Sequence, residues 1–369
     1  MSTTHAVIML TSLLLGLAVG AILHRANFCL VCGLRNYFLF RQKFMLRMIG
    51  ILVVASMVLF ESARLLGLLP LYPFPLLGPP SIVNIIGGVV FGVGMVLAGG
   101  CAIGTLCKLG GGSVISFLAL IGLIAGSAIY AEIHPMWKKI ADAGRLSSHV
   151  TLPQLLNVDP LLLVGLSLVA AALLGMRWRR KTWQHAARID HYLQPWKAAL
   201  YLSVIGTVSA VLVGMPLGVT TSYAKAGAFL ETLFASDHVV SLPFFQANPF
   251  NIVYPWSGER LIGGAGPVFD SIAAAQLPLI VGIILGAMVS AMLLNDFHIH
   301  LRVPVPQLVS GLVGGLLMGM ASRLTPGCNI WHVCGGLPIF AMQSILFVAG
   351  LIPGAWLGSR LLVKLVIRA

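Results

Sequence analysis

The sequence predicts an all-α polytopic membrane protein of about nine transmembrane helices plus short re-entrant helices, built as an inverted internal repeat. Three observations predict it. Of the 369 residues 58% are hydrophobic and 9% charged, and the mean hydropathy is +0.97, more apolar surface than a soluble core of this length can bury. The apolar residues are gathered into runs of bilayer length. A glycine-rich stretch also recurs without a gap: Gly87-Gly88, Gly92, Leu97, Gly100-Cys101, Ile103 and Cys107 return as Gly314-Gly315, Gly319, Leu324, Gly327-Cys328, Ile330 and Cys334, each pair 227 residues apart.

Runs long enough to cross lie at 6–24, 48–68, 82–98, 112–132, 159–176, 198–215, 276–294, 308–322 and 338–358. The first follows Met-Ser-Thr-Thr-His, with no cationic segment before it and no small-residue cleavage site after it, and reads as a retained helix. The next stretch, 27–40, is too short to span and reads as re-entrant. Glu61 and Arg64, one helical turn apart at the end of the second run, form a pair near the outer interface. The runs at 82–98 and 308–322 hold glycines and stop at Gly-Cys, which predicts helices broken part-way through the bilayer. A second re-entrant stretch falls at 217–234. The units are therefore 1–176, a basic linker 177–197, and 198–369.

Orientation follows from the basic residues. Arg41, Lys43 and Arg47, then Arg177, Arg179, Arg180, Lys181 and Arg188, then Arg360, Lys364 and Arg368 cluster at run ends, where cytoplasmic loops concentrate positive charge. The net charge of +13 is accounted for by topology, with no nucleic-acid partner. The loop at 235–275 carries only Arg260 against Asp237, Glu259 and Asp270, and is expected outside with the N-terminus. Counting crossings then leaves His134 outside and Arg360 inside, so the repeats are inverted. The first part of each half aligns at an offset of 194, Gly20 on Gly214, Leu23 on Leu217, Gly33 on Gly227 and Phe40 on Phe234, with Tyr223 where the first half has Cys29 and Ala226 where it has Cys32.

Six cysteines lie in or beside apolar runs, and no pairing of a secreted type is expected among them. Several readings compete for Cys29, Cys101 and Cys328. A single cysteine is most simply a small buried hydrophobe. Cys29-Leu-Val-Cys32 has metal-ligand spacing, yet lacks a second pair or a histidine cluster, so no metal and no cofactor are expected. The same pair fits a redox dithiol. Three thiols at broken-helix positions fit best as soft contacts for a soft anion in transit. A thiol offers a weak S–H donor and a polarizable sulfur, and the glycines beside it expose backbone N–H groups that favour negative charge.

These residues resemble a known family. His24-Arg25-Ala26-Asn27-Phe28-Cys29, Val96-Leu97-Ala98-Gly99-Gly100-Cys101-Ala102-Ile103-Gly104-Thr105 and Thr325-Pro326-Gly327-Cys328-Asn329-Ile330 look like the signature segments of the YeeE/YedE sulfur-transport family, across essentially the whole chain. The resemblance implies a bacterial inner-membrane transporter, not an enzyme, that passes thiosulfate between three cysteines, here Cys29, Cys101 and Cys328, with Gly100, Gly327, Asn27 and Asn329 beside them. It also implies a small cytoplasmic sulfur-carrier protein as partner, for which 177–197 is the expected surface. Pro326 in place of a glycine, and Trp331 and His332 in place of small residues, depart from the family pattern and leave a selenium compound as an alternative substrate. A membrane thiol oxidoreductase or sulfurtransferase using Cys29 and Cys32 is the alternative from another class. Cys32, Cys107 and Cys334 read as packing residues. Arg25, Lys225 and Arg323 are candidates for anion attraction, weighed against an interfacial anchor, a snorkelling lysine and a structural ion pair respectively. His332 is weighed between a proton-linked group and a capped histidine.

Overall fold

A computed structural model describes residues 2–178, 183, 191–299 and 301–367 of the chain. Arg179, Arg180, Lys181, Arg188 and Arg368 of the predicted basic clusters lie outside the described residues. Among those described, nine helices are long and apolar enough to cross a membrane, as the sequence predicts. In chain order the helices are α1 (Thr3–Ala26), α2 (Leu30–Phe40), α3 (Phe44–Leu65), α4 (Ile82–Leu97), α5 (Ala102–Gly110), α6 (Val114–Ala143), α7 (Leu152–Leu156), α8 (Pro160–Trp178), α9 (Pro195–Val213), α10 (Thr220–Ser241), α11 (Pro243–Gln246), α12 (Ser271–Leu293), α13 (Val305–Leu324) and α14 (Met342–Leu362). Between α11 and α12 the chain turns through one antiparallel hairpin, β1 (Phe250–Val253) with β2 (Arg260–Gly263), within the loop expected outside.

Helix directions follow from the contacts. Gly311, Gly315 and Gly319 of α13 meet Ile115, Ala119 and Leu123 of α6 in the same order, so these two helices run parallel. Gly350, Gly354 and Gly358 of α14 likewise follow Ile85, Val89 and Val93 of α4. In contrast α4 and α13 are antiparallel, with Ser310 Oγ donating to the Leu97 carbonyl at 2.8 Å while Gly87 lies against Thr325 at the other end. It follows that α6 and α14, which close the matching helix sets of the two halves, run in opposite senses, and that the repeat is inverted. The chain begins on one face, here called the N face, and ends on the other, the C face. His134 lies toward the first and Arg360 toward the second.

Lipid offers helices no hydrophobic reason to associate, so close backbone packing between small residues has to hold them. Gly88 and Gly92 of α4 face α14 for this reason. A Cβ at Gly92 would come within 2.7 Å of both the Ala355 nitrogen and the Leu351 oxygen. The same four-residue glycine spacing serves α1 against α12, where His5 and His24 also reach Ser271 and Ser290, each at 3.1 Å. The helix α8 stands apart. Val164 is its only buried residue, and it packs mainly on α3.

The predicted breaks are present. After α4 the chain turns through Gly99 (φ 68°) before α5 begins, and after α13 it turns through Gly327 (φ 131°) into a π-helical turn, Trp331–Gly336. Both re-entrant stretches form helices, α2 and α10. The second is longer than expected, because its last turns carry Asp237 and His238 and hydropathy alone does not register them, and it is kinked at Ala235. Glu61 and Arg64 pair at 2.6 Å, and Arg64 also reaches Asp159 at 3.2 Å.

Candidate functional site

Cys29 and Cys101 share one local geometry, and Cys328 likewise stands just before a helical stretch. Cys29 precedes α2 and its Sγ accepts the Cys32 N–H at 3.1 Å; Cys101 precedes α5 and its Sγ accepts the Gly104 N–H at 3.3 Å. The Cys328 Sγ is met by the backbone N–H groups of Ile330 and Trp331. A helix start leaves N–H groups without intrahelical partners, and sulfur takes one of them here. Each of these sulfurs thus sits where a helical stretch begins and where the local dipole favours an anion.

Two cavities approach these residues from opposite faces. The C-face cavity, of about 1000 Å³, has Arg25, Asn27, Cys29, Gly100 and Gly104 in its wall, with Arg35, Lys108 and Arg302 adding positive charge against the single carboxylate of Asp296. The N-face cavity, of about 470 Å³, is lined by Arg323, Gly327, Trp331, Tyr130, His134 and Gln276 among others. Cys101 and Cys328, 5% and 0% exposed, line neither. Their preceding glycines do, Gly100 on the C-face cavity and Gly327 on the N-face one. The protein separating the two cavities therefore contains both buried thiols. Asn329 interacts with the Cys101 thiol, and Tyr223 lies within electrostatic reach of both sulfurs.

This partition holds buried polar atoms that have no partner among the described residues: Tyr223 Oη, Asn329 Oδ1, Thr105 Oγ1 and Trp331 Nε1. Native folds rarely leave such groups unpaired, and each can contact a passing anion or its hydration water. The two buried cations behave differently. The Lys225 ammonium is engaged by Asp270 at 2.6 Å and by the carbonyls of Gly266 and Val268 at 3.0 and 2.9 Å, and it lines neither cavity. Arg323, 8% exposed, is held by hydroxyls only, Thr220 at 2.5 Å and Thr221 at 3.2 Å. No carboxylate among the described residues pairs with it. His332 is fully buried, stacked on Phe347 with ring centroids 4.2 Å apart, and its Nδ1 meets Ser344 Oγ at 2.8 Å.

The remaining cysteines divide. Cys29 and Cys32 are joined in a disulfide, against the expectation of none. A residue before the helix and one in its first turn stack over each other, and their Cα atoms lie 5.2 Å apart, within the range a disulfide spans. Cys101, Cys107, Cys328 and Cys334 are free and buried. Cys107 also lines the C-face cavity, and Cys334 lines neither. Sequence reasoning missed Arg35 and Lys108. Arg35 carried a signal, an arginine inside the apolar stretch 27–40, whereas Lys108 falls between the runs 82–98 and 112–132 and carried none. Glu132, Glu231 and His238 come close enough to hold a cation, but His238 is already ion-paired to both acids, at 2.7 and 3.5 Å, and the group lines neither cavity.

Comparison with known proteins gives a consistent set of similarities. The sequence profile of the sulphur transport family matches residues 25–357. Thiosulfate transporter TsuA of Spirochaeta thermophila is 28% identical over 374 residues, covering 95% of this chain and 99% of that protein. Thiosulfate transporter TsuA of Escherichia coli is 27% identical, covering 95% of this chain and 94% of its own length. The probable transporter YedE of Escherichia coli is 29% identical over 180 residues, 48% of this chain and 42% of that protein.

Proposed function

Because this chain belongs to the sulphur transport family, we propose that it takes up thiosulfate, or a closely related inorganic sulfur anion, across the bacterial inner membrane through a path lined by cysteine thiols. Two relatives matched over 95% of the chain bear the name thiosulfate transporter, which supports the substrate. One observation carries the path: Gly100 and Gly327 open onto cavities of opposite faces, while Cys101 and Cys328 are buried between them. An anion arriving from the N face meets the Arg323 guanidinium, passes Cys328 and then Cys101 through S–H and sulfur contacts, and leaves by the basic cavity beside Cys29. Arg25 adds positive charge to that exit. A small cytoplasmic sulfur-carrier protein would receive the anion there, docking on 177–197.

The direction rests on charge. Arg41, Lys43, Arg47, Arg177, Lys197, Arg302, Arg360 and Lys364 belong to the C face against Arg64, Lys138, Lys139, Arg145 and Arg260 on the N face, an excess that supports a cytoplasmic C face and an outward N-terminus. Reporter tags at the C-terminus and within 177–197 are expected to read as cytoplasmic, and one within 235–275 as external; the reverse would invert the direction of transport. The substrate is tested by growth of a sulfur-auxotrophic cell expressing the chain on thiosulfate, sulfate, sulfite or selenite. Thiosulfate is expected to support growth, and a response confined to selenite would move the assignment to a selenium-compound carrier.

A second reading, a thiol oxidoreductase, is favoured by the joined Cys29–Cys32 pair in the C-face cavity, where the Arg35 guanidinium lies 4.0 Å from the Cys32 sulfur. Serine at Cys32 keeps size and a donor but forms no disulfide. Cys32→Ser is expected to retain most thiosulfate uptake in a transport assay. Loss of uptake, with a Cys29–Cys32 bond that opens and closes as substrate is added, would establish the redox reading instead.

A further inference from the structure

The repeat places Gly104 and Trp331 at equivalent positions, each three residues after its buried cysteine and 227 residues apart. They treat the approach to that cysteine in opposite ways. Gly104 lines the C-face cavity beside Gly100, so the way to Cys101 from that face passes bare backbone. Trp331 lines the N-face cavity beside Gly327 and fills the equivalent space with an indole. A Cβ at Gly327 would collide with Trp331 Cδ1 and come within 2.8 Å of its Cγ, while one at Gly218 would come within 3.2 Å of Cε3. Two glycines from different segments thus make room for one ring, which is 5% exposed. Its Nε1 is buried with no acceptor among the described residues. A buried indole N–H normally finds a partner, and an anion in the N-face cavity would supply one.

We propose that Trp331 is the N-side gate of the thiol path: its ring closes Cys328 off from the N-face cavity, moves aside to admit the anion, and offers it the indole N–H as it passes. The first half has only Gly104 at the equivalent point, so size discrimination falls on the N side. The role in selecting substrate rests on reading the N-face cavity as the entrance. The gate itself concerns access to Cys328 and is measurable without substrate.

The test is the labelling rate of Cys328, read by mass spectrometry of its peptide, in the full-length chain in lipid nanodiscs exposed to an anionic methanethiosulfonate reagent. Trp331→Gly, which copies Gly104, is expected to raise that rate about tenfold or more and to leave Cys101 labelling unchanged, since thiol reactivity follows access. Trp331→Phe, which keeps the plate and loses the N–H, is expected to label as slowly as the wild type and to take up less thiosulfate. Should the glycine variant fail to accumulate, Trp331→Ala serves in the same comparison. Equal Cys328 rates in the wild type and the small-residue variant would overturn the gate, as would a phenylalanine variant that labels as fast as the small-residue one. Wild-type uptake from the phenylalanine variant would overturn the donor role. Absence of thiosulfate uptake by the wild type would remove the substrate reading while leaving the labelling result to stand on its own.

Discussion

Cys101→Ala and Cys328→Ala, made singly, are expected to abolish thiosulfate uptake while the amount of protein in the membrane stays near normal. On the proposed path both thiols lie in the partition that the anion crosses, and alanine removes from that point the S–H donor and the polarizable sulfur together. The structural cost is small by comparison. The Cys101 sulfur accepts the Gly104 N–H at a helix start, a contact whose loss is worth about 1 kcal/mol, and in both variants the side chain shrinks by one atom. Cys107→Ala and Cys334→Ala serve as controls and are expected to transport. Cys107 is the sharper control, because it lines the C-face cavity without entering the partition. Labelled-thiosulfate uptake, normalised to the immunoblotted protein, decides the matter. If Cys107→Ala proved as harmful as Cys101→Ala, the wrong sulfur of that pair would have been assigned to the path.

Arg323 is the second large effect. A guanidinium in a membrane interior is costly unless it pairs or faces a cavity, and this one faces the N-face cavity with threonine hydroxyls for company. Hydrogen bonds to charged groups contribute about 1.5–3 kcal/mol, so Arg323→Gln is expected to weaken uptake at low thiosulfate by about tenfold to a hundredfold, chiefly through KM. Arg323→Lys keeps the charge but not the planar fork, and should fall between. The melting temperature of the purified variant separates this role from a structural one. A group kept for an external anion leaves the fold nearly as stable when neutralised, whereas the hub of an internal network does not. A lowered melting temperature with unchanged KM would make Arg323 a scaffold residue.

Most of the fold was legible because lipid sets one requirement above the rest, an apolar run long enough to cross it. Each run of that length became a crossing, and the two that stopped at Gly-Cys became broken helices. The ends moved where polar residues continue a helix beyond the hydrocarbon. The helix α6 runs on to Ala143 past the predicted 132, carrying His134, Lys138 and Lys139 out of the membrane. The hairpin β1–β2 left no trace in hydropathy, since its residues are mixed and its pairing is with itself. The site was legible where the repeat marked it: the same offset that aligned the Gly-Cys units also set Trp331 opposite Gly104, and the fainter one set Tyr223 opposite Cys29. Its electrostatics were not. Lys225 and Arg323 look alike in the sequence, as lone cations in apolar surroundings, and only the fold shows that Asp270 meets the first and that hydroxyls alone meet the second. The Cys29–Cys32 bond was likewise hidden, because spacing alone does not say whether two thiols at a helix start face each other.

The isolation of α8 has a consequence for parity. With α8 set aside, each half has four spans, α1, α3, α4 with α5, and α6 in the first, α9, α12, α13 and α14 in the second, all among the nine. An even number of crossings returns the chain to the face it left, so two such units joined directly would insert the same way up. One additional crossing reverses the second, and α8 supplies it while contributing almost nothing to the interior. What this helix has to do is arithmetical: be apolar, be long enough, and be odd. Its sequence answers to the thickness of the membrane rather than to the shape of a neighbour, yet it sets which way up the second half stands.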